Sequence, residues 1–323
     1  MSGVRKNEEM SYWADRLGVS LSPDRHELEM LELNELKMVD LLPEMLLMIR
    51  SVMARQTFCF RREPIKIIEH GVSISFQNII HSTSTPQAQP HVRIVPLHVA
   101  TELTFPKAVN IQQVTILVNL DYLKSFIGKA HRTFDYLFDN DKTLWIEEFM
   151  SPEIAAIANE LANSSDRAPL SDAFYRLKSL ELLFHLFKNL SARTQVTHQQ
   201  LTKYELESIY RVRDQLANYM DRPFLQEELV KISGMNVIKL RKLFTQVFGM
   251  GMYPYYQRLR MQEAGRLLKE ELLSVSETGY RLGFSNLSYF GRLFESHFGS
   301  KPKKWMQLHK HVSSGSKKFR DTF

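Results

Sequence analysis

The sequence predicts an α+β chain: a β-rich N-terminal part followed by helices, then an all-α C-terminal part with two helix-turn-helix units joined by a long helix. Three observations carry this. Apolar residues alternate with polar ones in short runs up to about residue 120. After Asp121 the apolar spacing becomes helical, and from Lys203 onward no β-type alternation returns. Finally, a nine-residue stretch near residue 241 recurs, altered, 50 residues later.

The strands come first. Val72-Ser73-Ile74-Ser75-Phe76 alternates as a half-buried strand does, and Ile65-Lys66-Ile67 and Val92-Arg93-Ile94-Val95 do so over shorter runs. Residues 112–118 are β-branched and apolar, which predicts a more buried strand. Residues 56–60 read as a strand carrying the single cysteine, Cys59, which is expected to be a buried, inert thiol. Residues 81–90, rich in Ser, Thr, Gln and Pro, read as a loop.

The helices follow. Leu123, Phe126 and Ile127 have helical spacing. Ser151-Pro152-Glu153 is an N-cap, a first-position proline and an acidic first turn, opening a helix through Ile154, Ile157, Ala158 and Leu161. A second helix starts near Ser171. Its stripe of Phe174, Leu177, Leu180, Leu183, Phe184 and Phe187 fits either core packing or a dimer seam. The polar residues 191–200 read as a linker. The resulting division is 1–192 for a sensing and dimerisation domain, 193–203 for the linker, 204–311 for the helical domain and 312–323 for a disordered basic tail.

Composition narrows the function. The chain has 323 residues, enough for two domains. It has no apolar run long enough to span a membrane, and residues 1–9 lack the apolar core of a secretory signal. A cytoplasmic protein is therefore expected. Residues 201–323 hold 21 Lys/Arg against 12 Asp/Glu, a net of +9, whereas residues 1–200 hold 21 against 24, a net of −3. A basic half of this kind suits an anionic partner such as nucleic acid. His70, His81, His91 and His98 lack the spacing of a metal site, so no metal or other cofactor is expected. Glu147-Glu148 reads as a solvated pair.

The repeat is the most specific feature. Arg241-Lys242-Leu243-Phe244-Thr245-Gln246-Val247-Phe248-Gly249 returns as Gly291-Arg292-Leu293-Phe294-Glu295-Ser296-His297-Phe298-Gly299. Leu240, Phe244 and Phe248 match Phe290, Phe294 and Phe298, so apolar residues recur every four positions along each helix. Each helix ends at a glycine. Each is preceded by a short helix and a turn: residues 225–232 with Ser233-Gly234-Met235-Asn236, and residues 275–282 with Gly283-Phe284-Ser285. Asn236 and Ser285 can cap the following helices. The joining helix is predicted from about Tyr255 to Glu270. This is a tandem helix-turn-helix layout.

Tyr255, Arg260, Ala264 and Leu267-Leu268, then Gly283-Phe284-Ser285, Tyr289-Phe290, Arg292, Phe294, Phe298-Gly299 and Pro302-Lys303-Lys304-Trp305, form one further pattern. Over residues 209–308 it resembles the DNA-binding domain of the AraC/XylS family of transcriptional regulators. One departure stands out: where that family has Ser-Pro after the first Phe-Gly, this chain has Gly251-Met252, with Pro254 beyond.

The resemblance implies double-stranded DNA as a partner, with Ile238, Arg241, Lys242, Leu287, Ser288, Tyr289 and Arg292 facing bases. Arg suits guanine and Ile a thymine methyl. Lys242 could instead meet only phosphate, and Tyr289 could pack on its own domain. Lys231, Lys239, Arg281, Lys301, Lys303 and Lys304 are candidates for phosphate contacts. The resemblance further implies an activator working with RNA polymerase, an N-terminal cupin-like barrel that binds a small-molecule effector, and a homodimer. Control by a protein partner or by abundance is the alternative. Residues 115–190 also faintly resemble siderophore-responsive members of the family. An enzyme fused to a DNA-binding domain would need an activated nucleophile, and Cys59 has no neighbouring histidine in sequence, so no enzymatic activity is expected.

Overall fold

The computed structural model describes residues 30–77, 90–138, 145–164 and 169–315. The chain forms two compact units that divide between Thr202 and Lys203, with residues 246–249 grouped with the first.

Among the described residues the first unit has eight strands: β1 (Leu31–Leu42), β2 (Met45–Ala54), β3 (Phe58–Arg62), β4 (Gly71–Gln77), β5 (His91–Pro96), β6 (Thr101–Phe105), β7 (Asn110–Asn119) and β8 (Ile146–Phe149). Six of them make one antiparallel sheet in the order β1-β2-β7-β4-β5-β8, and β3 and β6 pair separately. Helix α1 (Leu120–Ile127), a 3-10 stretch (Gly128–Leu137), α2 (Pro152–Ala162) and α3 (Ser171–Leu190) complete the unit.

Alternation gives the large sheet two different faces. Leu47, Ile49, Ile74, Phe76, Ile94, Val114 and Ile116 point to one side and share a core with Ile154, Leu161, Leu182, Leu183 and Leu186 of the helices. Each such side chain contributes about 1.5–3 kcal/mol by leaving water. Ser151 caps α2 as its sequence suggests, its Oγ accepting from the Ile154 N–H at 3.4 Å. Asn119 caps α1, accepting from the Asp121 and Tyr122 N–H groups. Residues 191–202 have no regular structure.

Several expectations change. Ile65-Lys66-Ile67 is not a strand. Ile65 is buried because its loop packs on Leu46, Leu97 and Leu117, and its N–H donates to the Leu97 carbonyl at 2.9 Å. Its short alternation reflects loop packing rather than a ladder. Cys59 is exposed, on the same side of β3 as the exposed Arg61. Glu147 and Glu148 are not solvated: both are buried, on opposite faces of β8. Glu147 meets Arg93 at 3.5 Å and Glu148 meets Arg193 at 2.9 Å. The stripe on α3 splits, with Leu183 and Phe187 in the core and Leu177 and Phe184 left 66% and 59% exposed. The 81–89 part of the expected loop, with His81, lies outside the described residues. Among the described residues no group of three or more His, Cys, Asp or Glu side chains could hold a metal ion, and no helix is long and apolar enough to cross a membrane.

The second unit is helical throughout: α4 (Lys203–Asn218), α5 (Gln226–Ser233), α6 (Val237–Phe248), α7 (Met252–Lys269), α8 (Val275–Arg281), α9 (Leu287–Phe298) and α10 (Pro302–Gly315). The last helix passes Val312, where the tail was expected to begin, and residues 316–323 lie outside the description.

Candidate nucleic-acid interface

Both repeated helices stand on the same local architecture. In the first helix-turn-helix α5 ends at Gly234, whose φ of 67° is left-handed and suits a residue without Cβ. Met235 is buried in the angle between the helices. Asn236 then accepts the Lys239 N–H at 2.9 Å and starts α6. In the second helix-turn-helix Ser274 and Glu277 form a reciprocal capping box at the start of α8. Gly283 turns the chain at φ 73°, Phe284 is buried, and α9 follows.

The cap of α9 is Asn286, whose Oδ1 accepts the Tyr289 N–H at 2.9 Å; Ser285, the residue expected there, lies one position too early. Asn286 is 50 residues after Asn236, so the repeat itself contained the signal.

The buried faces are aromatic. Leu240, Leu243 and Phe244 of α6 and Phe290 and Phe294 of α9 have no exposed surface. Phe294 packs on Phe290, Phe298 and Trp305, with ring centroids at 5.9, 4.4 and 5.7 Å. Phe244 meets Tyr255 of the joining helix edge-on at 5.3 Å. That helix begins at Met252, earlier than expected, and Pro254 sits in its first turn, where a missing N–H is harmless. The departure from the family pattern therefore leaves the helix intact.

Arg260 of α7, noted in the sequence only as part of a pattern, is a structural hub. It is 6% exposed, lies 3.7 Å over the Phe284 ring and 5.1 Å from the Tyr256 ring, and donates through Nη2 to the Leu282 carbonyl. Burial lowers its pKa, yet a guanidinium stays charged. It thus ties the second turn to the joining helix.

With the cores facing inward, the expected base-facing residues fall unequally on the surface. Ile238 is 79% exposed, and Arg241, Ser288 and Arg292 are exposed. Lys242 and Leu287 are half-buried. Leu287 lies against α8, where a Cβ at Gly279 would come within 2.6 Å of its Cδ2. Tyr289 is 41% exposed, with its ring 6.2 Å from Phe284, and its hydrogen bond to Tyr253 is the main cause that raises its pKa. It therefore both packs on its own unit and shows an edge to solvent. Arg241 donates to Gln226 Oε1, a partner the sequence reading missed. Thr245 of α6 is only 9% exposed.

The expected phosphate-contacting residues separate as well. Lys231, Lys301, Lys303 and Lys304 are exposed. Lys239 bridges to Glu205 at 2.7 Å and Arg281 to Glu271 at 2.6 Å. These two would have to exchange carboxylates for phosphates, a swap of similar charge-assisted bonds.

A family model for a helix-turn-helix domain matches residues 229–307. The chain is 32% identical over 121 residues to the regulatory protein PchR of Pseudomonas aeruginosa, covering 37% of this chain and 41% of that protein. It is 34% identical over 92 residues to the transcriptional activator RhaR of Cronobacter sakazakii, covering 28% and 32%. The matched stretch thus spans less than half of either relative. A solved structure of a probable AraC family transcriptional regulator from Rhodopseudomonas palustris is 29% identical, covering 32% of this chain and 97% of that one, with a TM-score of 0.30.

Proposed function

We propose, on the premise that residues 229–307 are an AraC-type helix-turn-helix domain, that the chain is a sequence-specific transcription regulator. It acts as an activator, and a small molecule bound by the N-terminal unit controls it. The observation that carries this reading is the pair of helices α6 and α9. They lie 50 residues apart on matched aromatic cores, and each shows an unburied arginine, Arg241 and Arg292. Two such helices enter successive major grooves, roughly 34 Å apart on one face of the duplex.

In this reading Ile238, Arg241, Ser288 and Arg292 touch base edges, and Lys242 and Tyr289 contribute from the edge of each groove. Leu287 acts mainly by seating α9. Lys231, Lys301, Lys303 and Lys304 bind phosphates directly, and Lys239 and Arg281 join them once released from Glu205 and Glu271. Phosphate contacts supply salt-sensitive affinity, while base contacts supply selectivity. Activation follows from contact with RNA polymerase in the cytoplasm, and the chain is not an enzyme.

An effector can shift the regulator only by binding one state better than the other. Homodimerisation through the exposed Leu177 and Phe184 of α3 would let one assembly engage two adjacent sites.

The decisive experiment recovers genomic fragments bound by the purified protein at near-physiological salt. Enriched fragments with two short motifs about one helical turn apart are the expected result. Uniform, salt-sensitive recovery without a motif, with and without a cell extract as effector source, would falsify sequence-specific recognition.

A further inference from the structure

The face of the large N-terminal sheet turned away from the helices is polar along its middle. Alternation places Arg50 of β2, Gln113 and Thr115 of β7, and Ser75 of β4 on that face. They form one hydrogen-bonded row. Arg50 Nε donates to Gln113 Oε1 at 2.8 Å, Gln113 Nε2 donates to Thr115 Oγ1 at 3.0 Å, and the Thr115 and Ser75 hydroxyls lie 3.2 Å apart. Gln113 and Thr115 are 3% and 2% exposed.

The two-stranded sheet contributes a second arginine. Arg62 donates through Nε to Thr101 Oγ1 at 2.8 Å and through Nη2 to the Val99 carbonyl at 3.0 Å. Phe105, on the same side of that sheet as Thr101, has its ring 5.9 Å from the Arg50 guanidinium carbon, so the two sheets approach each other here.

These two guanidiniums have only neutral acceptors among the described residues: a side-chain amide, a hydroxyl and a carbonyl. Arg62 Nη1 is out of solvent with no acceptor among the described residues. Glu147, on the same face of the large sheet, is already paired with Arg93. Burial, reinforced by the charge of Arg62, lowers the Arg50 pKa to about 10, and burial lowers that of Arg62 to about 10. Both remain cations at neutral pH, so the fold holds two half-buried like charges with no counter-ion among the described residues. An oxyanion would relieve both and take the orphaned N–H. Beside them Val52, Ala54 and Phe105 form an apolar cluster with Ile111 packed against it.

We propose that Arg50 and Arg62 clamp the acidic head group, carboxylate or phosphate, of a small organic anion that binds between the two sheets, its apolar body lying against Phe105, Val52 and Ile111. This names the chemical class of the effector and rests on reading the N-terminal unit as the effector domain.

The test uses the full-length protein, melted at fixed ionic strength with inorganic phosphate, 3-phenylpropionate, phenyl phosphate or the neutral 3-phenylpropionamide. The acids should raise the melting temperature saturably by a few degrees while the amide does not. The ranking of 3-phenylpropionate against phenyl phosphate then assigns the head group. Arg50→Gln and Arg62→Gln should each weaken anion binding by roughly tenfold or more. Without anion, each should melt no lower than the parent, since a repulsion has gone. Absence of any saturable acid-specific rise, or an identical rise in both variants, overturns the clamp. If the variants fail to fold, acid against amide on the unaltered protein decides alone. Operator binding is measured in parallel. DNA recognition without an anion response refutes only the clamp, and clamp-dependent anion binding that leaves DNA occupancy unchanged keeps the clamp and refutes effector control.

Discussion

Arg292 is the exposed arginine of α9, and Gly291 beside it leaves open space around that surface. It corresponds to Lys242 in the first helix-turn-helix, which is half-buried. Arg292→Ala is expected to cost about 1–3 kcal/mol on the cognate site and to relax selectivity at one base pair. Competition binding against random DNA checks this, and equal losses on both would mean that Arg292 meets only phosphate. His297, at the end of the same helix, carries a separate prediction. Burial first, and the Arg258 charge second, lower its pKa to about 4 from 6.5. Between those values the unfolded chain binds the proton more readily, so the second unit loses stability as pH falls from about 6.5 towards 4 and is insensitive to this group above 7. His297→Gln should flatten that part of the melting-temperature profile. A profile identical to the parent's would remove His297 as its cause.

At the scale of elements, the tandem module depends on its turns and its aromatic seams. A Cβ at Gly283 would stand 1.9 Å from the Asp221 carbonyl oxygen, at a φ of 73°. Gly283→Ala therefore adds a backbone clash to the roughly 1–2 kcal/mol of left-handed strain. Chemical denaturation should show a loss of at least about 2 kcal/mol in the C-terminal transition. Phe294→Ala removes the ring on which Phe290, Phe298 and Trp305 converge and should cost about 3–5 kcal/mol. An unchanged melting temperature would place Phe294 outside the core. Arg260 has a related role, joining the Leu282 carbonyl of the second turn to α7. A turn held this firmly keeps α9 at a fixed angle to the helix before it, which base reading requires.

The whole molecule pairs an acidic part with a basic one, −3 before residue 201 and +9 from there on. On the proposed reading the basic excess would make binding to DNA steep in salt, and the exposed Leu177 and Phe184 would supply the apolar contact for a second copy. The double variant Leu177→Glu, Phe184→Glu should sediment as a monomer at concentrations where the parent is a dimer, with its melting temperature within a degree or so because neither residue is in the core. A parent that is monomeric at every concentration would discard this seam.

Sequence alone determined the order of strands before helices, the helical C-terminal unit and its repeat. These are local and periodic properties: alternation fixes which face of a strand is apolar, and four-residue spacing fixes which face of a helix is. The caps at Ser151 and Asn236 were legible for the same reason, since a cap acts within three residues. Tertiary structure alone decided where neighbouring segments remove water or supply charge. It buried Ile65 in a loop, divided the α3 stripe between core and surface, and turned Glu147 and Glu148 from solvated residues into two buried ion pairs. It also exposed Cys59, half-buried Leu287 and Lys242, and set Arg50 of the large sheet against Phe105 of the small one although their strands do not pair. Burial and charge pairing depend on residues distant in sequence, and no pattern within one segment encodes them.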